Sequence, residues 1–132
     1  MKKITLLFLA LLPLSAFSEQ VNPCIGKGTA QEMGVCAKEE YKKASNKLDH
    51  TYQALQAQMP AKDVAGIPYP AVKKQLQLAQ QAWSGFVEQD CKTMNIYNTG
   101  SVLQDVEYFS CMRLHAVHRT ADLEQFLSRR AK

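Results

Sequence analysis

Apolar residues recur at helical spacing in three segments of the chain. In the first segment, which opens at Thr29, they fall three and four residues apart and so share one face of a helix. They are Met33, Ala37, Tyr41, Ala44, Leu48, Tyr52 and Leu55. Glu32 follows Thr29 at capping-box spacing, which predicts the start of the helix. Pro60 predicts its end near Met59.

Two further helices are predicted in the second half of the chain, over about residues 70–91 and 102–128. The apolar stripe of the first consists of Val72, Leu76, Ala79, Trp83, Phe86 and Val87. The inward residues of the second are Val102, Val106, Phe109, Ala116, Leu123 and Leu127. No stretch alternates polar and apolar residues as a strand would. Three helices with short connections predict an all-α fold, an antiparallel three-helix bundle.

Trp83 is the only tryptophan of the chain and lies in the stretch AQQAWSGFVEQDC, residues 79–91. A tryptophan at such a position can line a binding cleft or fill a core. Its helical phase matches Leu76 and Ala79, which favours the core. Trp83 lies about as far after the turn between the first two helices as Ala44 lies before it. We therefore expect the indole to cover the small Ala44 side chain.

The first 18 residues have the pattern of a secretory signal peptide. A basic start, Met1-Lys2-Lys3, precedes a mostly apolar run over residues 4–14, and small residues follow. We expect residues 1–18 to be removed, with no membrane anchor left, and residues 19–132 to form a single helical domain. Such a start looks bacterial and predicts localisation in the periplasm, or secretion beyond it.

Charge argues against two classes of partner. Loss of Lys2 and Lys3 with the signal peptide lowers the formal net charge from +4 to about +2. A charge so small and so evenly mixed does not favour binding to nucleic acid or to a membrane surface. We therefore expect neither partner.

The four cysteines are Cys24, Cys36, Cys91 and Cys111. An even number in an oxidising compartment predicts two disulfides. Four cysteines allow three pairings, and the sequence alone does not decide between them. The depths of the predicted helical positions favour Cys36–Cys111, with Cys24 bonded to Cys91. No two cysteines form a CxxC pair, which disfavours a zinc site or a redox motif.

The strongest pattern for a metal site lies on the third predicted helix. Cys111, His115, His118 and Asp122 follow one another at spacings of four, three and four residues, which places them on one helical stripe. These residue types bind zinc, but an oxidised Cys111 is lost as a ligand, and tetrahedral sites normally draw on a second segment. We therefore interpret both histidines as exposed and expect no metal or other cofactor.

Catalytic motifs are absent from the sequence. There is no GxSxG, no HExxH and no phosphate-binding glycine loop. The carboxylates are scattered, and no pair of them stands out as a glycosidase-like acid and nucleophile. We do not expect an enzyme.

Two runs of residues carry a family pattern. They are Cys36-Ala37-x-x-Glu40-Tyr41-x-x-Ala44-x-x-x-Leu48-x-x-x-Tyr52-x-x-Leu55 and Ala79-Gln80-x-Ala82-Trp83-x-x-Phe86-x-x-x-x-Cys91. Gly100-Ser101, Cys111 and Arg119-Thr120-x-x-Leu123 complete it. This pattern resembles the LprI family, also called DUF1311, of small secreted bacterial proteins. The resemblance spans nearly the whole chain after the signal peptide.

The chain departs from the family pattern at five positions. The family usually has Asp at Ser45, Asn at Asp49, Arg-Asp at Val87-Glu88 and Thr at Ala116. In the family, the Arg and Asp suit a polar network inside the bundle, which this chain would lack. A function that depends on such a network is not implied for this chain, whereas the fold is.

The resemblance implies inhibition of lysozyme, which would protect the cell wall from muramidases. We place the partner-binding residues Tyr97, Asn98 and Ser101 in a loop over residues 96–101, because a rigid loop tip can enter a cleft with little loss of entropy. An ordinary connector is the alternative for this loop. The alternative functions are an envelope interaction protein, such as a toxin-immunity partner or an assembly factor, and, less favoured, a metal-binding module.

Overall fold

The computed structural model describes residues 22–130, apart from the side chains of Leu127 and Arg130. Three helices make up the bundle: α1 (Ala30–Ala57), α2 (Tyr69–Tyr97) and α3 (Gln104–Arg130). The part described contains no β-strand, and the prediction of an all-α three-helix bundle is confirmed. α3 packs most extensively against α1 and also packs against α2. The expected signal peptide and the predicted inward side chain of Leu127 lie outside the described residues.

The start of α1 is fixed by the predicted capping box. The Glu32 backbone N–H donates to Thr29 Oγ1 over 3.3 Å, and the Thr29 backbone N–H donates to Glu32 Oε2 over 2.7 Å. These bonds satisfy two of the donors that a helix start leaves unpaired. The Thr29 backbone N–H lowers the pKa of Glu32, and so does the Thr29 hydroxyl, which donates to Glu32 Oε2 over 3.0 Å, because both stabilise the carboxylate. The helix ends at Ala57, close to the predicted boundary.

The apolar stripe of α1 faces the core, as its spacing predicts. Leu48 and Leu55 are buried together with Met59, Ala116 and Leu123. The partly buried side chains that pack against this cluster are Ala44, Tyr52, Tyr69, Val72, Leu76 and Trp83. A second, smaller cluster of Cys24, Ala37 and Val106 lies where α1 and α3 begin. Both clusters contain residues of α1 and α3, which is why these two helices pack most closely.

Three residues that were expected to point inward are exposed instead: Ala79, Phe86 and Val102. Phe86 is 59 % exposed and Val102 is 80 % exposed. Val102 lies in the connection before α3 begins at Gln104, so helical phase does not apply to it. Phe86 lies beside the stripe of α2 that meets the core and contacts His115 of α3, with the ring centroids 5.6 Å apart and the planes nearly perpendicular.

The number of disulfides is confirmed, but the predicted pairing is wrong. The bonds are Cys24–Cys36 and Cys91–Cys111, with Cα atoms 5.7 and 5.6 Å apart. The prediction ended α2 at Cys91, whereas α2 continues for six residues to Tyr97. Cys111 lies seven residues after the first residue of α3, so the two cysteines are level with each other across an antiparallel helix pair.

Cys24 is directed to α1 by a turn in the N-terminal segment. The Ile25 backbone N–H donates to Asn22 O over 3.3 Å, and the Lys27 backbone N–H donates to Cys24 O over 3.2 Å. The segment therefore folds back onto the start of α1, where Cys36 lies two turns inside the helix. A Cys24–Cys91 bond would require the segment to extend to the end of α2, and it does not.

The cysteine pairing predicts a specific set of cross-linked peptides. Trypsin cleaves after Lys27, Lys38, Lys74, Lys92 and Arg113. Without reduction, we expect peptide 28–38 to remain linked to the peptide that ends at Lys27, and peptide 75–92 to remain linked to peptide 93–113. Mass spectrometry before and after reduction measures both links. A link between peptides 28–38 and 93–113 would contradict the structure.

The Leu48–Leu55 cluster predicts a large loss of stability when Leu55 is truncated. Leu55 is 0 % exposed, so Leu55→Ala leaves a cavity and costs about 2–5 kcal/mol of unfolding free energy. Urea unfolding followed by circular dichroism measures the loss. Leu78→Ala is the matched control, because Leu78 is 48 % exposed on α2. A similar cost for both variants would contradict this assignment of the core.

Candidate functional site

The connection between α2 and α3 forms an exposed apolar tip at one end of the bundle. We define the tip as residues 96–102. Tyr97 is 85 % exposed, and Ile96 and Val102 are exposed as well. Tyr97 was predicted to lie in a loop, but it is the last residue of α2, so its backbone is part of a helix. Three neighbouring large apolar side chains are therefore presented to solvent by a short segment.

Two of the sequence-predicted binding residues, Asn98 and Ser101, hold the tip together. The Asn98 side-chain amide donates to Met94 O over 2.9 Å, at the end of α2. The Ser101 backbone N–H donates to Asn98 O over 2.9 Å, and Ser101 Oγ accepts from the Leu103 backbone N–H over 3.2 Å. Of the three predicted residues, Tyr97 is thus the one whose side chain is mostly exposed and does not take part in these hydrogen bonds.

Further contacts connect the two sides of the tip. Gln104 Nε2 donates to both the backbone oxygen and the side-chain oxygen of Asn95, each over 3.1 Å. Gly100 has a φ of +82°, a left-handed conformation that glycine adopts without strain. The Cys91–Cys111 bond joins α2 and α3 behind the tip. The tip is therefore a rigid segment.

A groove of about 750 Å³ extends from the tip to the first turns of α1. Val102 and Ser101 line it on one side, and Val35 and Gly34 line it on the other. Val35 is exposed. Ile96 was predicted to lie in the 96–101 loop, whereas Val102 was predicted to point inward and Val35 was not predicted as a surface residue. A helical stripe of apolar residues predicts which side chains are buried. It does not predict which apolar side chains lie at the surface.

A second cavity is a crevice of about 290 Å³ between α1 and α2. We call it the crevice; Met112 and Ala116 of α3 form its base. Its other lining residues are Tyr41, Ser45, Leu48, Asp49, Gln80, Trp83, Ser84, Val87 and Glu88. The crevice exists because α1 and α2 both pack against α3 more closely than against each other.

Trp83 has two roles where the sequence predicted one. Its side chain packs against the core cluster that contains Leu48, as predicted, and it also lines the crevice. Ala44, which the indole was expected to cover, does not line the crevice. It lies in a separate depression with Val117 and Thr120 of α3. The prediction that Trp83 packs against the core is confirmed, and its partly buried side chain also forms part of the crevice wall.

The positions at which the chain departs from the family pattern all line the crevice. They are Ser45, Asp49, Val87, Glu88 and Ala116. These residues come from all three helices and are separated in sequence, so their proximity is visible only in the fold. Among the described residues, the carboxylates of Asp49 and Glu88 have no hydrogen-bond or ion-pair partner.

The candidate row of metal ligands on α3 does not form a cluster. His115 was expected to be exposed, but its side chain is only 25 % exposed because it pairs with Asp90 of α2, with 2.7 Å between Nε2 and Oδ2. Within the described chain, the donor atoms that group within 4.8 Å belong to Asp90, Cys91, Cys111 and His115. The two sulfur atoms are bonded to each other and so cannot act as thiolate ligands. His118 and Asp122 are exposed and do not belong to this group.

The remaining residues of the family pattern make structural contacts. Arg119 Nε donates to Gln80 Oε1 over 3.0 Å and so connects α3 to α2. The Tyr41 ring stacks on Phe109, with the centroids 6.2 Å apart. The Tyr52 hydroxyl accepts a hydrogen bond from the Gln56 side chain over 2.7 Å. These contacts join side chains within and between the helices of the bundle.

The shifted pKa values on α1 also have simple structural causes. A side-chain hydrogen bond of 2.7 Å from Lys43 lowers the pKa of Glu40, and the same bond raises the pKa of Lys43. Both groups lie outside the crevice and outside the tip. Their shifts reflect a surface ion pair, which contributes little to stability.

Comparison with known proteins gives one family. A family model described as Lysozyme inhibitor LprI matches residues 22–123. An uncharacterized protein of Rhizobium meliloti (strain 1021) is 26 % identical over 129 residues, which cover 94 % of this chain and 91 % of that protein. No solved structure matches the chain. No helix of the described chain has the length and apolar character needed to cross a membrane. The family model covers most of the sequence and all four cysteines, and the chain therefore belongs to the LprI family of lysozyme inhibitors.

Proposed function

We propose that this protein is exported to the bacterial periplasm, where it binds a lysozyme-type muramidase through the tip and blocks its substrate cleft. In this proposal residues 1–18 are the signal peptide and the remainder is one helical domain. Membership of the LprI family supports the class of partner. The observation that carries the choice of surface is Tyr97, whose side chain is 85 % exposed at the end of a rigid helix.

The composition of the tip suits a protein interface. Tyrosine is enriched among the residues that contribute most to binding, because it buries a large area with few rotatable bonds. Ile96 and Val102 are exposed in the same short segment and add apolar area. Several exposed large apolar residues in one segment suit an interaction surface better than single ones do.

The rigidity of the tip favours tight binding. A flexible loop loses conformational freedom when it binds, and this loss subtracts from the binding free energy. The hydrogen bonds of Asn98, Ser101 and Gln104 already fix the backbone of the tip in the free protein. A convex segment of this kind can fill a concave cleft, so inhibition needs no catalytic group in this chain.

Charge makes a smaller contribution to the proposed interaction. Lysozymes are commonly cationic, and a net charge near +2 does not attract them over long distances. Asp105 and Glu107 in the first turn of α3 add negative charge close to the tip. We therefore expect an association that depends mainly on apolar contact and only weakly on salt concentration.

The proposal predicts that Tyr97→Ala weakens inhibition by about tenfold or more, because hot-spot residues contribute about 2 kcal/mol or more to binding. The measurement is the hydrolysis of cell-wall suspensions by a muramidase at rising concentrations of the purified chain without residues 1–18. Leu78→Ala, which alters an exposed residue of α2 away from the tip, should inhibit like the unaltered protein.

Two results would count against the proposal in different ways. No inhibition by the unaltered protein at large molar excess removes muramidase as the partner. Inhibition that survives both Tyr97→Ala and Val102→Ala unchanged removes the tip as the surface, while leaving the partner in place.

The rigidity of the tip has its own test. Replacing Cys91 and Cys111 together by Ala should raise the amide exchange rates of Asn98, Ser101 and Gln104 by about tenfold or more, because the bond restrains local opening behind the tip. Hydrogen exchange measured by NMR reports these rates. Replacing Cys24 and Cys36 by Ala is the matched control and should change them less. Equal effects of the two double variants would contradict the role of the Cys91–Cys111 bond.

A further inference from the structure

The walls of the crevice between α1 and α2 carry two carboxylates, whereas the exposed large side chains of the tip are apolar. Asp49 of α1 and Glu88 of α2 contribute carboxylates from two different helices, and among the described residues no basic side chain lines the cavity. Trp83 and Tyr41 contribute aromatic rings to the same walls. From this combination we propose that the crevice binds the side chain of an arginine presented by a partner protein.

The two carboxylates are available to a ligand. Both side chains are exposed, and within the described part of the chain neither accepts a hydrogen bond nor forms an ion pair. A surface carboxylate commonly pairs with a neighbouring lysine or arginine of its own chain, as Glu40 does with Lys43. Two unpaired carboxylates on the walls of one cavity therefore favour a positively charged occupant.

The aromatic side chains favour a guanidinium over an ammonium group. A guanidinium is planar, so it can lie against an aromatic face while its edge donates hydrogen bonds to a carboxylate. The orientation of Trp83 is restrained by its packing against the core, and Tyr41 is held by its stacking on Phe109. The rings are thus in place before a ligand arrives, which limits the entropy lost on binding.

The size and base of the crevice suit one side chain. A volume of about 290 Å³ is too small for a helix or a strand of a partner protein. Leu48, Val87 and Ala116 provide apolar surface deep in the cavity. The methylene groups of an arginine can pack on apolar surface while the charged end meets carboxylates. Ser45 and Ser84 offer further hydrogen-bond acceptors at the walls.

One positive group lies next to the crevice. Arg119 Nε donates to Gln80 Oε1 over 3.0 Å, and Gln80 lines the cavity. Its charge repels an incoming arginine, whereas the carboxylates of Asp49 and Glu88 attract it. The same contact shows that the Gln80 amide oxygen in this wall accepts a guanidinium N–H.

The crevice is separate from the surface proposed for muramidase binding. It lies on the flank of the bundle between α1 and α2, whereas the tip lies where α2 passes into α3. Binding of an arginine to the crevice can therefore be measured without a muramidase. Failure of one proposal leaves the other unaffected.

Trp83 provides a direct measurement, because it is the only tryptophan and it lines the crevice. We expect N-acetyl-L-argininamide to change Trp83 fluorescence with saturation. The neutral analogue N-acetyl-L-citrullinamide should have no saturable effect, and N-acetyl-L-lysinamide should bind more weakly. High salt should weaken arginine binding, because screening reduces attraction between exposed charges. Equal responses to arginine and citrulline, or tighter binding of lysine, would overturn the proposal.

Charge-neutralising variants locate the site. Asp49→Asn and Glu88→Gln keep the shape of exposed side chains and should each weaken arginine binding by about threefold to fivefold, a typical effect for an exposed ion pair. Glu39→Gln is the control, because Glu39 is an exposed carboxylate of α1 that does not line the crevice. Unchanged binding in both crevice variants, or an equal loss in the control, would also overturn the proposal.

Discussion

The Cys91–Cys111 bond is the constraint on which the geometry of the functional end depends. Of the residues of α2, only Val87 and Cys91 are buried, so this helix contributes little to the core for its length. The disulfide fixes α2 to α3 near the connection between them. Because the joint is covalent, the connection can present apolar side chains to solvent without relying on their burial to hold it in place.

The open crevice follows from the same arrangement. α3 packs against both other helices, so α1 and α2 need not close on each other along their length. Trp83 spans part of the gap and packs against the core cluster, yet a cavity remains beside it. A tighter α1–α2 pair would bury more apolar area, but it would also bring Asp49 and Glu88 together, where their like charges repel. The gap between α1 and α2 therefore keeps the two carboxylates apart.

Much of the fold was predictable because it depends on local patterns. The α1 stripe predicted the burial of Leu48 and Leu55, and the spacing of Thr29 and Glu32 predicted a capping box. The cysteine pairing depends on how far α2 continues, and the residues that end it, Asn98 at the C-cap and the left-handed Gly100, lie well beyond the Cys91 at which the prediction ended the helix. An error of six residues in one boundary was enough to change which cysteines are level.

The sites divide in the same way. Tyr97 was predictable from its place beside a connection, whereas the crevice depends on distances between helices that no local pattern encodes. This division bears on function, because every departure from the family pattern lies at the crevice and none lies at the tip. If inhibition depended on the polar network that this chain lacks, family membership would say little about its activity. An inhibitory surface at the tip, built on the Cys91–Cys111 bond, is independent of that network and can persist while the crevice acquires a different ligand.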